Sequence, residues 1–267
     1  LALRLNILGT GRLGKTLGRL FHSKRSLLIQ AITNQSPEKA QESVHFMGAG
    51  IPFTCLKDLP EAEITLLSVP DGQIETVCMA WAQSPASKPG NILFHASGAC
   101  SSALLQSARD KGVWVASVHP LKSFASPEQA AASFAGTFCA MEGDEEALAV
   151  LGPLFKGLGA ELGRISPETK PMYHAASVMA CGGLTALYAC CEGLLKEAGV
   201  PAGQIQAFLA PYMKETLSNN QALGPRQALT GPVARGDWET VAAHEEALTG
   251  EALALYQVLT ALQKFIN

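Results

Sequence analysis

The apolar positions of this chain follow two rhythms. Up to about Arg164, short apolar runs alternate with longer amphipathic stretches. Leu5–Leu8, Leu27–Thr33, Ile51–Phe53, Ile64–Val69, Asn91–His95 and Val113–Val118 read as strands. The nearly continuous apolar character of Ile64–Val69 is that of a parallel strand buried on both faces. Between the runs, Leu13, Leu17, Leu20 and Phe21 share one helical face, and Ile74, Val77, Cys78 and Trp81 share another. Ser36–Pro37–Glu38 opens a helix with a capping serine and a first-turn proline, and that helix stops near Gly48–Ala49–Gly50. Ser101 or Ser102 caps a further helix, ended by Gly112. Two more strands, near Thr137–Met141 and Ala160–Arg164, flank a helix from Asp144 to about Gly157. Beyond Arg164 the strand signals stop. Ser166–Pro167–Glu168 begins a long helix to Gly199, and further helices are expected over Ala202–Asn219, Asp237–Leu248 and Glu251–Phe265. The pattern predicts an α/β fold: a doubly wound, mostly parallel sheet over residues 1–165, then an all-helical second domain over 166–267.

The first apolar run ends in Gly9–Thr10–Gly11–Arg12–Leu13–Gly14. A G-x-G-x-x-G turn between a strand and a helix is the dinucleotide fingerprint of a Rossmann-like sheet. Gly9 permits the tight turn, Gly11 lets backbone approach a pyrophosphate, and Gly14 lets the helix pack on the strand. The helix N-terminus offers free N–H groups to phosphates. The competing reading is a glycine turn that binds nothing. About twenty residues after Gly14, where NAD enzymes usually carry a carboxylate, stand Asn34–Gln35–Ser36. Nothing there repels a 2′-phosphate, and Arg12 and Lys39 offer positive charge. NADP(H) is therefore the expected cofactor, with NAD still admissible.

Ligands of such sheets bind beyond the carboxyl ends of the strands. Ser68–Val69–Pro70–Asp71 places Val69 and Pro70 there as cofactor contacts, while Asp71 fits a helix cap equally well. In His95–Ala96–Ser97–Gly98 the small turn at Ser97 suits a nicotinamide ribose, and His95 fits a satisfied strand-end histidine as readily as a site residue. His119–Pro120–Leu121–Lys122 suits a substrate anion, or a structural histidine. At the start of the long helix, Lys170, His174, Ser177 and Cys181 fall on one stripe. Either this stripe faces a cavity, with His174 exchanging a proton and Lys170 holding the substrate, or Lys170 is solvated and His174 sits at a core edge. Leu229–Asp237 reads as a turn between helices with Asp237 capping the second; Arg235 then either has no structural task or binds a substrate carboxylate.

Composition narrows the classes. Net charge is −3 and no basic stripe occurs, which argues against nucleic acid. No unbroken apolar run approaches the roughly eighteen residues of a membrane span, and the chain enters a strand without the layout of a signal peptide. Cytoplasm is the expected location. Seven cysteines, without C-x-x-C, read as reduced thiols, with no metal site expected. Only 16% of residues are charged, and Leu253, Leu255, Val258, Leu259 and Leu262 are too many for one helical face. A homodimer built on the helical domain is expected.

The chain resembles a family of predicted NADP oxidoreductases that join a Rossmann-like half to a helical domain of unknown function, distantly similar to pyrroline-5-carboxylate reductase and the β-hydroxyacid dehydrogenases. The resemblance rests on Gly9–Gly14, Ser68–Asp71, His95–Ala99, His119–Leu121, Tyr173–Ala176 and Leu229–Asp237. It implies hydride transfer to or from a small carbonyl, hydroxy-acid or imine substrate; a non-catalytic NAD(P)-binding sensor on the same fold is the alternative. The β-hydroxyacid dehydrogenases carry a lysine and, four positions on, an amide residue at the corresponding helix start, which implies similar roles for Lys170 and His174, with His119, Ser97 and Arg235 completing the catalytic candidates. The chain departs from the family twice: Asn34–Gln35–Ser36 replaces the usual Ser-Arg-Ser, and Cys181–Gly182 replaces Ser-Asn.

Overall fold

A computed structural model describes residues 2–34 and 36–266. Its strands are β1 (Arg4–Leu8), β2 (Leu28–Thr33), β3 (Ile51–Phe53), β4 (Ile64–Leu67), β5 (Ile92–His95), β6 (Trp114–Pro120), β7 (Phe138–Gly143) and β8 (Glu161–Arg164). They form one sheet in the order β3-β2-β1-β4-β5-β6-β7-β8. Every pairing is parallel except β6 with β7, so the doubly wound, mostly parallel sheet is as expected. The order reverses between β1 and β4. Loops leaving those two strands part there and open a crevice at their carboxyl ends.

The helices of this half are α1 (Arg12–Ser23), α2 (Pro37–Met47), α3 (Ile74–Ala82), α4 (Gln106–Arg109), α5 (Pro127–Ala132), α6 (Glu145–Gly157) and α7 (Lys170–Val178). Strand side chains alternate between two cores, as a sheet covered on both faces requires. Leu5, Ile7, Phe94 and Val118 join Leu17 and Phe21 of α1 and Phe155 of α6 on one face. Leu8, Leu67, Leu93 and Val115 join Ile74, Cys78 and Trp81 of α3 on the other. Phe155 meets Phe21 and Phe94 edge-on, with ring centroids 5.6 and 6.1 Å apart.

After α7 the chain passes through a π-helical turn, Met179–Gly183, into α8 (Leu184–Glu197), α9 (Ala202–Leu223), α10 (Pro225–Ala228), α11 (Pro232–Arg235), α12 (Trp238–Ala247) and α13 (Gly250–Ile266). No strand occurs past β8 among the described residues. The structure separates into two compact units, residues 1–181 and 182–267.

Several local expectations are corrected. Asp71 does not cap α3: it begins a 3₁₀ turn, Asp71–Gln73, without a capping side chain, and α3 starts at Ile74. Neither Ser101 nor Ser102 caps by side chain, because the Ser102 hydroxyl bonds Glu142 instead. The long helix is interrupted by the π turn Met179–Gly183. Cys181 lies within that turn, where the α-helical spacing that defines the stripe no longer applies. Within the stretch 167–197 one 18-residue window reaches a mean hydropathy of 1.5, long and apolar enough to cross a membrane by length and composition alone.

Gly9 holds φ +88°, and a Cβ there would collide with the Ser68 carbonyl oxygen. Gly9→Ala is therefore expected to destabilise the fold by at least about 1 kcal/mol, whereas Gly11→Ala, with nothing within 4 Å of the new methyl, leaves it nearly unchanged. Urea denaturation of both variants checks this; equal stabilities contradict it.

Candidate functional site

A cleft of about 370 Å³ lies at the β1/β4 reversal. Gly9, Thr10, Gly11, Asn34, Val69 and Pro70 line it, as the fingerprint leads one to expect. Thr54, Leu56, Gln73 and Val77 also line it. They follow β3 and β4, so the rule of carboxyl strand ends would have found them. Gly11 is the residue that N-caps α1, in extended backbone, and a side chain there would enter open space. Gly14 is packed so closely on Gly9 that a Cβ would stand 2.7 Å from its carbonyl oxygen. Arg12 is exposed at the head of α1, and Leu13 packs on the core. Asn34 Nδ2 donates to Thr10 Oγ1 at 2.7 Å, joining the tip of β2 to the glycine turn. Ser36 caps α2, its hydroxyl accepting from Lys39 N at 3.3 Å. Gln35 lies outside the described residues.

Beyond the cleft, the ends of β5 and β6 carry a second cluster. His95 is fully buried and both ring nitrogens are engaged. Nδ1 accepts from Ser97 N at 3.1 Å, which leaves Nε2–H to donate to Ser101 O at 3.1 Å. Burial, above all, pushes its pKa down to about 4. It is therefore the satisfied strand-end histidine, shaping the loop Ser97–Ser101. Ser97 is also tied in: its hydroxyl accepts from Cys100 N at 2.9 Å and from Ala99 N at 3.2 Å.

His119, Tyr173 and His174 meet over Gly98. His119 Nδ1 and Tyr173 Oη are 3.0 Å apart, and the His119 and His174 rings stand edge to face at 5.8 Å. A Cβ on Gly98 would lie 2.5 Å from His174 Cδ2 and 2.8 Å from His119 Nε2. Only glycine admits both rings. Burial, helped by the Lys170 charge, pushes the His119 pKa down to about 4. Burial pushes the Tyr173 phenol up to about 12. At neutral pH His119 and Tyr173 are thus an uncharged pair.

Lys170 is fully buried, which rules out the solvated alternative. Its ammonium donates to Ser117 Oγ at 2.6 Å and to Ser97 O at 3.0 Å, and lies 3.7 Å from Glu142 Oε1. Glu142 is 3% exposed and also accepts from Ser102 N at 2.8 Å and Ser102 Oγ at 2.7 Å. Burial lowers the Lys170 pKa, opposed by Glu142. The lysine thus stands behind the Ser97–Gly98 turn rather than on its open side. The sequence reading missed Glu142, Ser117 and the role of Tyr173, because their partners are far away along the chain. Arg235 is exposed at the end of α11 in the second unit. Among the described residues no group of three or more His, Cys, Asp or Glu side chains is arranged to hold a metal.

Residues 2–120 match the profile of a Rossmann-like domain, and residues 137–263 match that of DUF2520, a domain of unknown function. The chain is a Rossmann-like domain joined to a DUF2520 domain. The DUF2520 match begins with β7, so the strand that supplies Glu142 belongs to it. No curated protein sequence matches significantly. Among solved structures, a provisionally named NADP oxidoreductase of Bacteroides fragilis is similar over 98% of both chains, at 20% identity and a TM-score of 0.82. A protein of Thermotoga maritima is 25% identical over 98% of this chain and 97% of its own, with a TM-score of 0.76. A reductive aminase of Aspergillus terreus, solved with NADPH and ethyl-5-oxohexanoate, is 17% identical over 98% of this chain and 93% of its own, with a TM-score of 0.70.

Two outcomes follow for the Rossmann–DUF2520 chain. Lys170→Met leaves Glu142 buried without a charge partner and is expected to cost about 3–5 kcal/mol. Adding Glu142→Leu should recover part of that loss, and chemical denaturation in which the double variant is the weaker one contradicts the pairing. The second concerns acid. Between the ordinary histidine value of 6.5 and about 4, the unfolded chain binds a proton at His95 that the folded chain does not. Stability then falls as pH falls, by about 1.4 kcal/mol per pH unit for this group. Between pH 6 and pH 5 the wild type should lose stability more steeply than His95→Asn; an equal slope contradicts the buried neutral histidine.

Proposed function

We propose that the chain is an NADP(H)-dependent oxidoreductase that transfers hydride to or from a small carbonyl, hydroxy-acid or imine substrate. The observation that carries this reading is the glycine cradle at the β1/β4 reversal. Gly9 turns sharply under Ser68, and Gly11 presents the head of α1 to open space. That geometry fits a pyrophosphate. The Aspergillus terreus reductive aminase, solved with NADPH, shares the fold and supports the choice of cofactor. Asn34 and Ser36 stand where a ribose 2′-substituent is read, with Gln35 between them in the sequence, and Arg12 is the proposed phosphate partner.

When bound, the dinucleotide supplies or accepts the hydride. The rest is the work of side chains. His119 and His174 offer ring nitrogens at the reacting centre, His174 as the group that exchanges a proton. Ser97 and Gly98 form the small turn beside them, and Lys170 braces that turn from behind. Arg235 is proposed as a ligand for a substrate carboxylate. In this reading residues 1–165 hold the cofactor, and residues 166–267 supply substrate groups and a dimer surface. The second unit exposes Phe208, Tyr212, Leu217, Val258, Leu262 and Phe265, which supports a homodimer formed through it. Light scattering at micromolar concentration is expected to give a dimer; a monomer contradicts that assignment.

The cofactor assignment has a direct check. Gly11→Val places a branched side chain where the phosphates would lie, and its Cβ meets no protein atom within 4 Å. Calorimetry should find the variant folded and NADPH binding abolished, and unchanged affinity overturns the proposal. Arg12→Ala is expected to weaken NADPH binding about tenfold or more, from a charged hydrogen bond worth roughly 1.5–3 kcal/mol, while NADH binding stays nearly constant. Equal losses for both cofactors would show that Arg12 does not read the 2′ position.

A further inference from the structure

The contact between His119 and Tyr173 leaves one question open that decides what the site can bind: which ring nitrogen of His119 carries the proton. The ring is uncharged at neutral pH, so one nitrogen donates and the other accepts. Nδ1 faces the Tyr173 hydroxyl at 3.0 Å. Nε2 lies beside Gly98, so close that a Cβ there would stand 2.8 Å from it. Among the described residues Nε2 has no hydrogen-bond partner, and the same holds for Tyr173 Oη apart from His119.

The phenol settles the choice. A neutral phenol is a good donor and a modest acceptor, and a half-buried hydroxyl proton needs somewhere to go. Among the described residues the one acceptor in reach is Nδ1. If Nδ1 carried the proton instead, it would meet the oxygen of a phenol whose own hydrogen had no protein acceptor. The charged and titratable groups around His119 do not alter this. Lys170 lies behind the turn with Glu142, His174 stands edge-on, and both Lys170 and His174 disfavour a charged imidazole, against a smaller opposite effect from Asp71.

We infer that Tyr173 is a positioning residue that fixes His119 as its Nε2–H tautomer, so that the neutral imidazole presents a hydrogen-bond donor beside Gly98. The inference rests on the hydride-transfer reading for its meaning, and on the His119–Tyr173 geometry for its content. A donor at that point takes a reacting group with a free lone pair, such as a carbonyl oxygen. It disfavours a protonated imine, whose N–H would oppose the ring N–H. His119 would then polarise the substrate oxygen, as a second nitrogen held by hydrogen bonding elsewhere tunes the first. Proton exchange falls to His174.

The test needs no substrate. Nitrogen-15 NMR of the full-length chain labelled at histidine, at pH 7, reports the tautomer of each ring, and His119 is assigned by the signals lost in His119→Gln. The expected spectrum of His119 shows a protonated, pyrrole-type Nε2 and an unprotonated Nδ1. In Tyr173→Phe, with the donor removed and the ring kept, the two His119 signals should move toward the averaged values of an exchanging mixture, while those of His95, whose tautomer is held by Ser97 N, stay in place. A protonated Nδ1, a charged ring at pH 7, or a His119 spectrum unchanged in Tyr173→Phe overturns the inference. Because no cofactor is present, these outcomes are independent of NADPH binding: loss of binding in Gly11→Val bears on the oxidoreductase reading, and the nitrogen spectrum bears on the tautomer alone.

Discussion

The buried pair of Lys170 and Glu142 is the constraint on which the site depends. Two opposite charges placed in an apolar interior are unfavourable unless every remaining donor and acceptor is engaged. Here Glu142 takes both the backbone and the hydroxyl of Ser102, and Lys170 takes Ser117 and the Ser97 carbonyl. Four separate stretches of chain are thereby held to one point: the turn after β5, strand β6, strand β7 and the head of α7. Tyr173 and His174 follow Lys170 within about one turn of the same helix, so the pair that anchors the helix also sets where those rings stand. The antiparallel strand β7 matters for this reason. It returns beside β6 and brings Glu142 to a place that parallel strands alone would leave without a counter-charge.

Two devices divide the work at the carboxyl edge of the sheet. At β1 and β4 space is made by glycine, and backbone faces a cleft. At β5 and β6 space is again made by glycine, at Gly98, but aromatic and imidazole rings occupy it. The first arrangement suits phosphates, which are bound well by main-chain N–H groups. The second suits a small polar group, because the His119 ring is held by Tyr173 before anything binds and needs little reorganisation. His95 and His119 differ in how their ring nitrogens are engaged. Both His95 nitrogens are taken by backbone, whereas His119 keeps one directed at Gly98.

The sheet was readable from the sequence because each strand carries its own apolar run and each crossing helix its own face. The fingerprint was readable because its three glycines act within one turn. What escaped were contacts made across long separations. Ser102 sits at a position where serine often caps a helix, yet a carboxylate forty residues on claims its hydroxyl. Lys170 at a helix start suits solvent by every local rule, and its burial rests on Ser97, Ser117 and Glu142, all far away along the chain. The π turn at Met179–Gly183 interrupts the regular helix that a stripe from Lys170 to Cys181 requires.

The central claim is that the glycine cradle and the His119–Gly98 turn serve one dinucleotide. A crystal structure of the chain with NADPH tests it most directly. The account predicts density for the pyrophosphate against Gly11 and the head of α1, and for the nicotinamide beside Gly98 and His119. NADPH bound with its nicotinamide away from that turn, or no NADPH in the cleft at saturating concentration, would contradict it.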